Sequence, residues 1–145
     1  EQLCLEITES GFMEDPARAL ETLGRLHGLG LRLSVDDFGT GYSSLVYLKK
    51  LPVQELKIDR SFVMNMVDDE DDATIVRSTI ELGHNMGLEV VAEGVEDLAA
   101  LEFLRRLDCD QVQGYYISKP LPTDQFEAWL EARRQTERTE ATTPA

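Results

Sequence analysis

Glu6, Asp36, Lys57, Glu93 and Gln113 stand at or near the ends of short apolar runs, and a site built from them could hold a hard cation. Carboxylate oxygens suit Mg²⁺, Mn²⁺ or Ca²⁺, whereas zinc favours Cys and His donors. Asp36 is followed at once by Asp37. Two adjacent carboxylates are hard to keep ionised at close range without a cation, so the pair favours one metal, or two flanking a phosphoryl group. Lys57 then neutralises or orients an anionic oxygen or an attacking water; on the plainer reading it only offsets its acidic neighbours. The two histidines, His27 and His84, fall near the ends of helical segments, where an imidazolium complements the helix dipole.

Such a site requires elements that carry positions 6, 36, 57, 93 and 113 to one place. Five β-like runs, at residues 3–7, 31–35, 55–58, 88–92 and 110–113, alternate with segments of helical period at 16–27, 42–50, 72–86, 97–107 and 123–134. This is the pattern of βα units around a parallel sheet. Alternate strand residues face opposite sides. Leu3, Leu5 and Ile7 share a face against Glu6; Leu31, Leu33 and Val35 oppose Arg32, Ser34 and Asp36; Leu56 and Ile58 oppose Glu55, Lys57 and Asp59. Leu88, Val90 and Ala92 likewise oppose Glu89, Val91 and Glu93, and Val112 opposes Gln111 and Gln113. With the apolar face packed under helices, Glu6, Asp36, Lys57, Glu93 and Gln113 project from the other face near the C-terminal ends of their strands. That is where α/β barrels build active sites.

The 145 residues carry 28 Asp and Glu against 14 Lys and Arg, a net charge of −14. A chain so acidic offers no basic stripe to polymeric nucleic acid, and an anionic substrate needs a cation as go-between. With 42% hydrophobic and 29% charged residues, composition fits a globular chain rather than a disordered one. No apolar run approaches the roughly 20 residues of a membrane span. No signal peptide is read at the start. Cys4 and Cys109 form no C-x-x-C pair, and reduced thiols in a cytoplasmic protein are expected. Asp68 to Asp72 read as a solvated run ahead of a helix start. Met64, Met66 and Val67 read as core or interface, Tyr115 and Tyr116 as packing residues that could border a base, and Phe126, Trp129 and Leu130 as core. Residues 135–145 lack any apolar period and are expected to form a disordered tail.

Five motifs, EITE from Glu6, DDFGTGYSSL from Asp36, LKIDRSFV from Leu56, VVAEGVE from Val90 and QGYYISKPLP from Gln113, resemble the EAL-domain family of bacterial cyclic di-GMP phosphodiesterases. The DFG of Asp37, Phe38 and Gly39 is not that of a protein kinase, since no glycine-rich loop precedes it and no HRD segment is present. The resemblance implies a modified (β/α)₈ barrel of the TIM type that hydrolyses cyclic di-GMP to linear pGpG with Mg²⁺ or Mn²⁺. By the same resemblance Glu6, Asp36 and Asp37 match metal ligands. Glu93 matches an essential acid acting as ligand or general base, Lys57 a lysine that contacts the attacking water, and Gln113 a residue that orients water or acid. Glu9, Asp59, Glu96, Phe38, Gly39, Thr40 and Gly41 match residues that support the site or its loop, and the loop also serves homodimerisation.

The family's Glu-x-Leu strand and the following Asn-bearing strand have no counterpart here. Residues 1–134 therefore match the C-terminal part of the domain, about five βα units of a partial barrel. Open sheet edges and missing ligands lead us to expect poor solubility and little or no hydrolysis from this chain alone. The resemblance also implies that a sensor or cyclase domain could precede this segment, since such fusions are frequent in that family. A non-catalytic cyclic di-GMP-binding or dimerisation module is the alternative.

Overall fold

A computed structural model, which describes residues 3–40 and 45–142, shows a single parallel sheet in the strand order β1-β2-β3-β4-β5. The strands are β1 (Cys4–Thr8), β2 (Arg32–Phe38), β3 (Glu55–Ile58), β4 (Glu89–Glu93) and β5 (Gln111–Gln113). Every neighbouring pair is parallel. Sequential βα units place consecutive strands side by side. The sheet is open, with β1 and β5 at its edges, so the architecture is a partial barrel rather than a closed one.

Alternation along the strands sorts the side chains as the sequence implies. Leu33, Val35 and Leu56 enter one apolar cluster with Phe12, Leu23 and Leu48. Ile58, Val90 and Ala92 enter a second, with Val63, Val76, Ile80 and Leu104. Both clusters lie between the sheet and its helices, and their burial is the main favourable term in holding the strands together. Gly83 lets α5 approach the sheet closely: a Cβ there meets Val90 Cγ2 at 2.4 Å.

The helices are α1 (Glu9–Met13), α2 (Pro16–Gly28), α3 (Leu45–Leu48), α4 (Arg60–Asn65), α5 (Glu70–Asn85), α6 (Leu98–Arg106) and α7 (Thr123–Thr142). Aspartates start several of them, because a carboxylate accepts from the first unpaired N–H groups. Asp15 accepts from Arg18 N at 3.1 Å, with Pro16 in the first turn, and Asp97 accepts from Ala100 N at 2.8 Å. Asp69 accepts from Asp71 N and Asp72 N, so part of the acidic run 68–72 is a helix cap and its first turn.

Several boundaries differ from those the sequence pattern implies. β2 continues to Phe38 through a shifted register between Val35 and Phe38, because Phe38 buries into the core after the two acids. The short helices α1 and α4 have no counterpart in the periodicity; each begins at a capping side chain, Thr8 and Asp59. Within the expected helix 42–50, residues 42–44 lie outside the described residues, and α3 covers Leu45–Leu48. α7 runs past residue 134 to Thr142, through the expected tail, since Gln, Glu, Arg and Ala favour helix even without an apolar stripe. Phe126, expected in the core, is 47% exposed and stacks on Trp129 of its own helix. Helical spacing puts these rings on one face but does not bury them equally: Trp129 is half-buried, with the Arg133 guanidinium over its ring.

Candidate functional site

Glu6, Asp36, Lys57 and Glu93 converge at the C-terminal edge of the sheet. They come from β1, β2, β3 and β4 in turn, each from the face turned away from the helices. Lys57 is the hub: Nζ lies 2.7 Å from Glu6 Oε1, 3.1 Å from Asp36 Oδ1 and 2.6 Å from Glu93 Oε1. Its side chain is only 5% exposed. Burial disfavours the ammonium, but the close carboxylates of Glu6, Glu93 and Asp36 outweigh that cost and raise the Lys57 pKa above the ordinary lysine value. The amine is therefore a fixed cation rather than a proton acceptor at neutral pH.

The acids are less completely satisfied than the lysine. Asp36 Oδ1 is buried and, although within ion-pairing distance of Nζ, makes no aligned hydrogen bond. Asp37 follows at φ 55°, a left-handed conformation that Asp tolerates better than most side chains. Burial and the neighbouring carboxylates of Asp36 and Asp59 push the Asp37 pKa up. Asp59 moves the other way: burial opposes its charge, but the hydroxyl and N–H of Ser61 hold its carboxylate below the usual range. Asp59 caps α4 through those same bonds, a position the strand pattern alone does not reveal.

The loop after β2 is tied back to this edge. Glu9, 2% exposed at the start of α1, accepts from Gly39 N at 3.2 Å. Gly39 has φ 97°, and a Cβ there meets the Phe62 ring at 3.3 Å, so backbone and space both favour glycine. Phe38 is buried, and the Thr40 hydroxyl donates to Asp37 O at 2.8 Å. Gly41 lies outside the described residues.

Gln113 pairs with Glu93 across β4 and β5. The two, with Arg60, Glu96 and Tyr115, line a hollow of about 170 Å³. Arg60 is not among the residues that the sequence pattern singles out; it occupies the first turn of α4 immediately after the Asp59 cap, which is the only local signal for it. Two glycines shape the hollow. A Cβ on Gly94 meets Arg60 Cβ at 2.6 Å, and one on Gly114 meets Val95 O at 2.1 Å. Larger hollows of about 490 and 420 Å³ lie beside α1 and α2 and along the β5 edge. Neither is lined by any member of the Lys57 cluster, whereas the smaller hollow is lined by Glu93, so the chemistry favours the smaller hollow as the candidate site.

Among the described residues no three Asp, Glu, His or Cys side chains form a metal-holding group by themselves; the clustered acids meet through the Lys57 ammonium. Their chemistry nonetheless fits a hard divalent cation. The donors are carboxylate oxygens, one of them buried without a hydrogen bond, and Asp37 faces Asp59 with no cation of the chain paired to it among the described ion pairs. Cys109 lies outside this set: burial pushes its thiol up to about 11, which leaves it inert as a nucleophile. Both cysteines are free.

A family model for the EAL domain matches residues 1–120. The bifunctional diguanylate cyclase/cyclic di-GMP phosphodiesterase MucR of Pseudomonas aeruginosa is 50% identical over 124 residues, covering 86% of this chain and 18% of the relative. The cyclic di-GMP phosphodiesterase NbdA of the same organism is 47% identical over 130 residues, covering 90% and 17%. The chain thus spans less than a fifth of the length of these relatives. Among solved structures, the PaMucR phosphodiesterase in a c-di-GMP complex superposes with a TM-score of 0.83 at 50% identity, over 86% of this chain and 50% of that one. The EAL domain of Mycobacterium smegmatis DcpA gives 0.81 at 46%, over 89% and 58%.

Proposed function

The chain belongs to the EAL domain family, and from that premise we propose that it supplies much of the active site of a cyclic di-GMP phosphodiesterase that releases linear pGpG. The observation that carries this reading is the convergence of Glu6, Asp36 and Glu93 on Lys57 at the C-terminal edge of a parallel sheet. Site, family and relatives named for this activity agree.

Glu6, Asp36 and Asp37, with Asp59 beside the last, would hold Mg²⁺ or Mn²⁺, which when bound offsets negative charge on the phosphodiester oxygens. Lys57, held by three carboxylates, presents a fixed positive charge toward an anionic oxygen or the water that attacks phosphorus. Glu93 lies against that ammonium and at the hollow, placed to take the proton of the attacking water. Gln113, its partner across the strands, orients water or carboxylate through its amide. Glu9 holds the loop after β2 through Gly39, and Glu96 lines the hollow with Glu93 and Gln113. Arg60 adds a donor at the rim for a nucleotide.

Homodimerisation through the loop after β2 and control by a further sensor or cyclase domain are part of the same proposal. No helix among the described residues is long and apolar enough to cross a membrane. The open edges at β1 and β5 lead us to propose that the 145-residue chain alone turns over little substrate. Full-length protein incubated with cyclic di-GMP should form pGpG, read by chromatography, with Mg²⁺ or Mn²⁺ and not after chelation. Binding of cyclic di-GMP without product under both metals would instead identify a receptor.

A further inference from the structure

Charge does not balance at the Lys57 cluster. Glu6, Asp36 and Glu93 bring three carboxylates within 3.1 Å of a single ammonium, which leaves a surplus of two negative charges. That surplus equals the charge of one divalent cation. The ammonium is nearly buried and held from three sides, so it cannot swing away into water at small cost. Any cation drawn to these carboxylates must therefore share them with Nζ and feel its repulsion.

We propose that Lys57 sets the divalent-cation affinity of this cluster: by cancelling one carboxylate charge it weakens cation binding and matches the cluster to one divalent ion. The inference rests on the metal-dependent reading above and adds a role that precedes substrate binding. Unit charges a few ångströms apart in a partly buried site interact strongly. Removing the ammonium while keeping side-chain length, as in Lys57→Met, should tighten cation binding by roughly tenfold or more.

The test titrates MnCl₂ alone, without nucleotide, into chelator-treated full-length protein and follows binding calorimetrically. Lys57→Met should bind Mn²⁺ at least about tenfold more tightly than the native protein, and Lys57→Arg, which keeps the charge, within about threefold of it. Glu6→Gln should weaken binding, because the surplus falls to one charge. The pair Glu6→Gln/Lys57→Met restores the surplus of two and should bind more tightly than Glu6→Gln; this comparison decides the matter if Lys57→Met by itself does not fold. Equal or weaker Mn²⁺ binding on loss of Lys57, in either background, overturns the inference and leaves the proposed activity standing. Native protein that binds no Mn²⁺ overturns both.

Discussion

The two ends of the sheet carry similar side chains arranged to opposite effect. At the N-terminal end, Arg32 of β2 pairs with Glu55 of β3 at 3.3 Å and with Glu89 of β4. Gln111 of β5 then donates to Glu89 at 2.8 Å. Nearby, the Gln54 side chain accepts from Leu33 N at 3.0 Å and donates to Pro52 O. At the C-terminal end three acids share Lys57, Asp37 is pressed against Asp59, and one Asp36 oxygen lacks a hydrogen bond. The first arrangement ties four strands together with its polar groups mutually engaged. The second leaves negative charge over, a state that costs stability and suits a cation-dependent site. In barrels of this kind, polar residues at the bottom face serve stability and those at the top serve chemistry.

The largest break in that comparison should come from Glu93→Gln, which keeps shape and removes a carboxylate. Turnover should fall by about 10²–10⁴, with cyclic di-GMP affinity within a few-fold in a binding titration. A change at the opposite end, Arg32→Met, should reverse the pattern. It leaves Glu55 and Glu89 without their shared cation and should cost about 1–2 kcal/mol in chemical unfolding, discounted for the partial exposure of the groups, while turnover stays within about twofold.

Asp110 gives a pH-resolved version of the structural case. Its Oδ2 accepts from Val90 N at 2.8 Å and lies 2.9 Å from His84 Nε2, binding the start of β5 to β4 and α5. Burial opposes its charge, but these two partners hold its pKa below the ordinary aspartate value. A depressed carboxylate stabilises the fold above its unfolded pKa of about 3.9 and loses that contribution as pH falls through the lower folded value. Asp110→Asn should therefore lower stability at pH 7 by about 1 kcal/mol, and the difference from the native protein should shrink in denaturation series carried below about pH 3.5.

The smallest effect should come from Asp37→Asn, and with the opposite sign. The raised Asp37 pKa means that its ionised form disfavours the folded state above that pKa, so neutralising it should stabilise the protein at pH 7 by a few tenths of a kcal/mol. Asn also accepts the left-handed backbone that this position requires. The gain, measured as a higher Tm, should vanish in acid, where the native Asp37 is itself protonated. Loss of Tm at pH 7 would show that Asp37 stabilises rather than strains the loop.

Strand parity makes much of this molecule legible in its sequence. Glu6, Asp36, Lys57 and Glu93 share a face because each sits an even number of residues from the polar members of its own strand, and a parallel register brings those faces together. Parity fails where the backbone leaves the strand. In the sequence Asp37 is visible only as a second acid, yet its left-handed φ and the shifted register around it let β2 resume at Phe38. Asp59 can be paired with Lys57 by alternation, but its capping of α4 and its approach to Asp37 depend on a turn that no period encodes. Arg60 follows from that same turn. Phe126 and Trp129 show the converse, since a helical period groups apolar side chains whether or not anything packs on them.

Glu93 is the residue on which the assignment of chemistry rests most directly. Chromatographic measurement of pGpG formed from cyclic di-GMP by full-length Glu93→Gln protein, with Mn²⁺ present and folding checked by its unchanged Tm, should give at most about one hundredth of the native rate. A rate equal to the native one, in a variant that folds and binds substrate, would contradict the assignment of chemistry to the C-terminal edge of this sheet.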